Sequence, residues 1–388
     1  MSRLPPRIFA QNNRRLLSLE KGTIKKSWEG KSSVVLAYPN RYFLGMSNLG
    51  FQSTYQLFNN LPNTVCERAF LPEQDEQHEF IRSQTPLCSF ESLRPLGEFD
   101  IIAFSLSFEN DYPAILSILK LAAIPFTSAE RGNRYPLIIA GGICTFFNPE
   151  PLAEFIDLFV IGEAEEVLPK LIENYQNYHS TSGSREDLLT RLASEGGIYL
   201  PQLYEVTYNP SGTIKSFSPK GKAPPTIQRK YTRQLDRFPV CSVITTPETE
   251  FADMFLMEVT RGCTHRCNFC AIGCVYTPYR VRSLEKLKET ATKGLGQKYK
   301  IGLIGATLAD YPHINDLCKF IIEEGGKFSS TSMRVDLLDE ELIKLMKHSG
   351  HQTITLAPET GSERLRRVLG KNLSNRQIYA TVKTVAQH

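Results

Sequence analysis

Met254-Phe255-Leu256-Met257-Glu258-Val259-Thr260-Arg261-Gly262-Cys263-Thr264-His265-Arg266-Cys267-Asn268-Phe269-Cys270 joins a short apolar run directly to three closely spaced cysteines. The run 254–259 has the length and composition of a buried strand. Cys263, Cys267 and Cys270 then follow in CxxxCxxC spacing on one loop. Three thiolates so placed call for a metal. A closed structural zinc site takes four protein ligands, whereas a 4Fe-4S cluster held by three cysteines leaves one iron open to a substrate or cosubstrate. A zinc knuckle is the competing reading, but no fourth Cys or His completes a second ligand pair at zinc spacing. Cys274 and His265 are read as accidental neighbours of the loop.

The chain of 388 residues exceeds the usual size of one domain. Its hydrophobic fraction of 41% supplies ample core. No apolar run reaches the length needed to span a bilayer and the first residues lack a signal-peptide core, so a cytoplasmic protein without membrane contact is expected. Cys66, Cys88, Cys144, Cys241 and Cys318 are scattered, which suits small buried side chains better than a disulfide framework. The basic residues Arg3, Arg7, Arg14, Arg15, Lys21, Lys25 and Lys26 raise the possibility of RNA binding, with a solvated tail as the preferred reading.

Outward from the cysteine loop, strands and helices alternate on both sides. Residues 1–31 lack a clear period and form an arm. Over 32–178, apolar strands near 33–37, 66–70, 101–106, 137–140 and 158–162 alternate with amphipathic helices, and residues 45–50 read as a loop. This pattern predicts an α/β fold, a Rossmann-like doubly wound parallel sheet. Residues 179–250 form a connecting segment with a hairpin over 204–217. Residues 251–388 repeat the strand–helix unit, with strands at 301–305, 330–335 and 353–357, and predict a partial TIM-type (βα) barrel. About 135 residues supply only about four of the eight units of such a barrel, so either the barrel is open or the sequence is truncated.

Ligands of these architectures sit at the carboxyl ends of strands. In the first domain those ends carry Gly45, Asn48, Ser105, Gly141, Gly142 and Gly162; in the second they carry Gly305, Ser332, Arg334 and Glu359. The glycines serve either close backbone approach to a ligand or merely tight turns, and Arg334 and Glu359 are either ligand contacts or an ion pair across the barrel mouth. Tyr276, Tyr279, Arg280 and Arg282 either grip a phosphate or base or pack the helix that follows.

The cysteine spacing, the aromatic Phe269 before the last cysteine, the stretches 332–335 and 357–362, and the segments 45–50, 203–206 and 258–263 together resemble the radical S-adenosylmethionine (SAM) superfamily. The resemblance is to the type with an N-terminal cobalamin-binding-like domain. It implies that Cys263, Cys267 and Cys270 hold a 4Fe-4S cluster whose fourth iron binds SAM, and that reductive cleavage of SAM yields a 5′-deoxyadenosyl radical. It further implies SAM contacts from Phe269, Gly305, Ser332, Arg334 and Glu359, and an electron donor such as flavodoxin or ferredoxin. Cobalamin-dependent methyl transfer is the other activity it implies, with Gly45, Asn48, Ser105, Gly141, Gly142 and Gly162 around the corrinoid. The first loop departs from the DxHxxG pattern, so no histidine ligates cobalt from below. Cobalamin bound without a protein ligand and a domain used only for substrate docking both stay open. A non-catalytic iron-sulfur electron carrier and a nucleic-acid-binding module are the alternatives from other classes.

Overall fold

The computed structural model describes residues 4–181, 184–330 and 333–388. The chain divides into two compact units, Met1–Thr232 with Glu248–Glu250, and Arg233–Pro247 with Phe251–His388.

The first unit opens with helix α1 (Arg7–Leu19), where the sequence suggested an aperiodic arm. Phe9 and Asn13 are its buried residues, and its apolar side chains gather on one helical face, a period that the sequence carries and the arm reading missed. The body consists of β1 (Ser32–Tyr38), α2 (Tyr42–Ser47), α3 (Leu49–Asn60), β2 (Thr64–Phe70), α4 (Gln74–Ser83), β3 (Ile101–Ser105) and α5 (Tyr112–Leu121). It continues through β4 (Leu137–Gly141), α6 (Ile143–Phe147), β5 (Leu158–Val160), α7 (Ala164–Thr181), α8 (Arg185–Leu192) and β6 (Ile198–Tyr199).

The sheet order is β2-β1-β3-β4-β5-β6, with only β6 antiparallel. Its first five strands follow the 2-1-3-4-5 order of a flavodoxin-like doubly wound sheet. Helix α3 packs with α7 and α4 with α5, giving a separate helical layer for each face. Val35, Ile102 and Ile138 point to one face and Val34, Ile101 and Ile139 to the other, and all six are buried. Burial on both faces explains why the strands read as continuous apolar runs. The expected loop at 45–50 is instead the end of α2 and the start of α3. Asn48 stands alone between them and caps α3, its side chain accepting from the Phe51 N–H at 2.8 Å. The expected hairpin is present as β7 (Tyr204–Tyr208) and β8 (Ile214–Pro219).

In the second unit, β9 (Met254–Glu258) leads to β10 (Thr260–Arg261), α9 (Ile272–Val275), β11 (Arg280–Val281) and α10 (Leu284–Leu295). Then come β12 (Lys300–Ile304), α11 (Ile314–Glu323), β13 (Lys327–Ser330), α12 (Glu340–His348), α13 (Glu363–Val368) and α14 (Asn375–Gln387). Strands β13, β12 and β9 lie side by side and parallel. Helices α10, α11 and α12 pack in succession over them, with Phe255, Ile301, Leu317, Ile321 and Phe328 in the shared core. This is the beginning of a βα barrel. The strand expected at 353–357 is reduced to one parallel bridge, Met333 with Leu356. Residues 352, 353 and 355 are exposed there, so little apolar surface holds the segment against its neighbour. No helix among the described residues is long and apolar enough to cross a membrane.

Candidate cofactor site

The cysteine loop is built on a charged base. At the carboxyl end of β9, Glu258 accepts from Arg261 Nε and Nη2, both at 2.9 Å, and from Arg282 Nη2. Arg282 is buried and also donates to the Leu235 carbonyl. Burial pushes the Glu258 carboxyl up, but the two guanidiniums outweigh it and hold it below the ordinary carboxylate range. Strands β10 and β11 pair antiparallel just beyond, so residues 262–279 leave and return at one point. Gly262 makes the departure with φ +91°, and a Cβ there would lie 2.4 Å from the Tyr276 carbonyl oxygen.

Two further contacts hold the loop. The Thr264 hydroxyl donates to Asp310 Oδ2 at 2.7 Å. His265 Nε2 lies 3.1 Å from the same oxygen but off the line of a hydrogen bond. On the other side Asn268 donates from its backbone N–H to the Leu369 carbonyl (2.9 Å) and from its side chain to that of Val368 (2.8 Å).

Cys263, Cys267 and Cys270 are free and partly exposed, and Cys274 is exposed on α9. Among the described residues no group of three Cys, His, Asp or Glu side chains converges as around a single metal ion. The loop does carry three soft donors without disulfide partners, the donor type that suits an iron-sulfur cluster. The five scattered cysteines are buried and free.

Arg334 follows the bridge residue Met333 and forks onto Asp336 at 3.1 and 2.8 Å. Burial works against its charge, but Asp336, together with the fields of Cys267 and Asp310, raises its pKa. Glu359 has φ +67°, and its Oε1 accepts from Lys371 Nζ at 2.6 Å. Arg334 and Glu359 therefore have different partners, and the alternative reading of an ion pair between them does not hold. Phe269 is 53% exposed, beside the third cysteine. Gly305 lies just past β12, where a Cβ would meet Thr260 Oγ1 at 2.5 Å; its lack of a side chain is used by packing. Ser332 lies outside the described residues. Burial pushes the Tyr279 hydroxyl up to about 12, with Asp310 adding to the effect. Arg280 and Arg282 are buried, so these arginines serve the loop's base.

In the first unit, Ser105 and Gly141 end the neighbouring strands β3 and β4, Gly142 lies just beyond, and Asn48 stands between α2 and α3. Asn48 Nδ2 donates to Ser107 Oγ at 2.9 Å. The glycines are mostly committed to packing. A Cβ on Gly45 would meet the Phe70 ring at 2.6 Å, one on Gly142 the Leu106 carbonyl oxygen at 2.3 Å, and one on Gly162 the Lys230 carbonyl oxygen at 2.5 Å. Only Gly141 of this group has ordinary clearance, 3.5 Å to Val160. The small residues drew attention in the sequence, but the exposed large ones are more informative. Phe43 and Leu44 after β1, Phe108 after β3 and Phe147 after β4 are each at least 41% exposed. Large apolar residues in the short helices after β1 and β4 and just beyond β3 were the available signal. A cavity beside α1, lined by Phe9, Asn12, Tyr42, Phe70 and Phe90, includes none of the expected site residues. Of the basic arm, Lys26 is turned inward, donating to the carbonyls of Asn59 and Thr64, and Arg15 pairs with Glu248. Arg3 lies outside the described residues.

Two family models match in tandem. Residues 50–201 match the N-terminal region of radical SAM proteins, and residues 257–388, including all three loop cysteines, match the radical SAM superfamily. The chain belongs to the radical SAM superfamily. This radical SAM chain is 28% identical over 352 residues to an uncharacterised protein of Methanocaldococcus jannaschii, covering 89% of this chain and 64% of that one. It is 26% identical over 302 residues to an uncharacterised methyltransferase of Pyrococcus horikoshii, covering 74% and 59% respectively. The chain thus spans less than two thirds of these relatives' length. Its fold is similar to that of the radical SAM methyltransferase TsrM from Kitasatospora setae, solved with tryptophan substrate and the SAM analogue aza-SAM. That match has a TM-score of 0.54 at 14% identity and covers 92% of this chain and 66% of TsrM. TsrM solved with cobalamin and a [4Fe-4S] cluster matches at TM-score 0.52 and 13% identity, covering 92% and 67%.

Proposed function

We propose that this radical SAM chain is an enzyme in which Cys263, Cys267 and Cys270 hold a 4Fe-4S cluster and SAM is the cosubstrate. The observation that carries the reading is the cysteine loop itself, three free thiols anchored at the carboxyl end of β9, where a βα barrel keeps its chemistry. When bound, the cluster supplies one electron for cleavage of a carbon–sulfur bond of SAM. Arg334, close enough to Cys267 for its charge to be felt, offsets negative charge at the loop. Glu359 is a candidate acceptor for the SAM ribose or ammonium group. Transfer of a methyl group to an acceptor is favoured over other radical outcomes by the methyltransferase names of the relatives. Phe108 and Phe147, exposed just beyond β3 and at the end of α6, are apolar surface that a large, partly apolar ligand such as cobalamin would cover.

The test is anaerobic reconstitution with iron and sulfide, then incubation with SAM and a chemical reductant, with and without cobalamin, followed by mass spectrometry. The expected products are 5′-deoxyadenosine or S-adenosylhomocysteine. An intact cluster that yields neither would overturn the proposal.

A further inference from the structure

The turn at residues 368–371 touches the cysteine loop and Glu359 at once. The carbonyls of Val368 and Leu369 accept from Asn268, which lies between Cys267 and Cys270. Gly370, at φ +73°, sits so close to the loop that a Cβ would lie 3.1 Å from the Arg266 carbonyl oxygen. The next residue, Lys371, is buried and donates to Glu359 Oε1 at 2.6 Å. Arg366, also buried, donates to the Leu373 carbonyl at 2.7 Å and the Thr360 carbonyl at 2.8 Å, closing the ring between the turn and the segment that carries Glu359.

Two independent observations point to Glu359 as the object of this arrangement. Its left-handed backbone is unfavourable for a residue with a side chain and persists only where the surroundings impose it. Its partner is a buried ammonium, and a buried charge is retained only against a firm counter-charge. A ligand reaching from a cluster on the cysteine loop to the Glu359 carboxylate requires a defined separation between the two. The four-residue turn sets that separation.

We infer that Lys371 is a positioning residue for SAM: it orients the Glu359 carboxylate and, through the Gly370 turn, registers it against the cysteine loop. This inference rests on the SAM-dependent reading above. Lys371 acts through Glu359, so its loss leaves cluster loading intact and weakens SAM.

The experiment uses the reconstituted full chain with SAM as the probe, reading iron content, SAM affinity by titration, and the change SAM produces in the EPR signal of the reduced cluster. Lys371→Met is expected to keep its iron and to bind SAM about tenfold more weakly, the usual scale for loss of a group that orients a ligand contact. Lys371→Arg is expected to recover part of the affinity. The double variant Lys371→Met with Glu359→Gln removes both charges together, and is expected to bind no worse than Glu359→Gln alone. Wild-type SAM affinity in Lys371→Met, or full additivity in the double variant, overturns the inference. If the wild-type protein itself takes up iron but does not bind SAM, the functional reading fails first, and the two failures are distinguishable.

Discussion

The Thr264 hydroxyl donates to Asp310 Oδ2 at 2.7 Å, linking the interval between the first two loop cysteines to the turn that follows β12. That bond joins two consecutive strand–helix units at their carboxyl ends. Groups that orient metal ligands without touching the metal commonly contribute about 10- to 100-fold to affinity. Asp310→Ala is therefore expected to release iron to a chelator at least about tenfold faster than wild type after reconstitution, and Asp310→Asn to fall between. Iron-release kinetics identical to wild type would count against a holding role.

Single Cys263→Ser, Cys267→Ser and Cys270→Ser variants are each expected to lose the cluster's visible absorbance and most bound iron. Cys274→Ser, altering an exposed side chain on α9, is expected to retain both. Iron and sulfide analysis checks the set. A Cys274 variant that loses iron would show that the ligand set had been misassigned.

Arg68 and Glu20 anchor the N-terminal segment inside the first unit. Their side chains are 1% and 0% exposed, with Nη1–Oε1 at 2.8 Å and Nη2–Oε2 at 2.7 Å, and Arg68 Nε also meets Glu91 at 2.7 Å. Glu20→Ala leaves a buried guanidinium with one carboxylate partner. Removing one member of a buried pair costs about 3–5 kcal/mol, so the first unit is expected to lose that much in urea denaturation. A loss below about 1 kcal/mol would assign the pair to the surface class instead.

Glu258 makes the second unit sensitive to acid. Its folded pKa lies below the ordinary value, so its contribution is complete above the unfolded carboxylate range and is lost as pH falls through the folded value. The melting temperature of wild type is expected to exceed that of Glu258→Gln by a constant margin above about pH 5, with the margin shrinking below about pH 4. Thermal melts from pH 7 to 3 measure it. A margin that widens toward acid would contradict the ion triad.

Phe108 and Phe147 are 56% and 41% exposed, so Phe108→Asp and Phe147→Asp are expected to change stability by no more than about 0.5 kcal/mol. If these two side chains face bound cobalamin, the double variant retains less corrinoid than wild type on gel filtration. Equal retention would remove them from the corrinoid reading.

Much of this molecule is written locally. The alternation of apolar strands with helices is a near-neighbour property, and it specified the doubly wound sheet and the βα series. Caps act within three residues: Ser374 accepts from the Gln377 N–H and is legible along the chain, whereas Asn48, which accepts from the Phe51 N–H, sits in a stretch that reads as a loop. What docks helix α1 was not legible, because its partners are far away in sequence: Phe9 enters the core, Asn12 meets Glu76 and Arg15 meets Glu248.

The sequence by itself determined that three thiols share one loop at the end of a strand, because spacing and position are covalent facts. Tertiary structure alone decided how that loop is held: Asp310 grips it through Thr264 from 46 residues away, and the Val368 carbonyl through Asn268 from 100 residues away. It also decided that Glu359 answers to Lys371 and not to Arg334. The physical reason is that charge pairing depends on distance through space, and a chain written in one dimension does not record which of several carboxylates and cations folding brings within 3 Å.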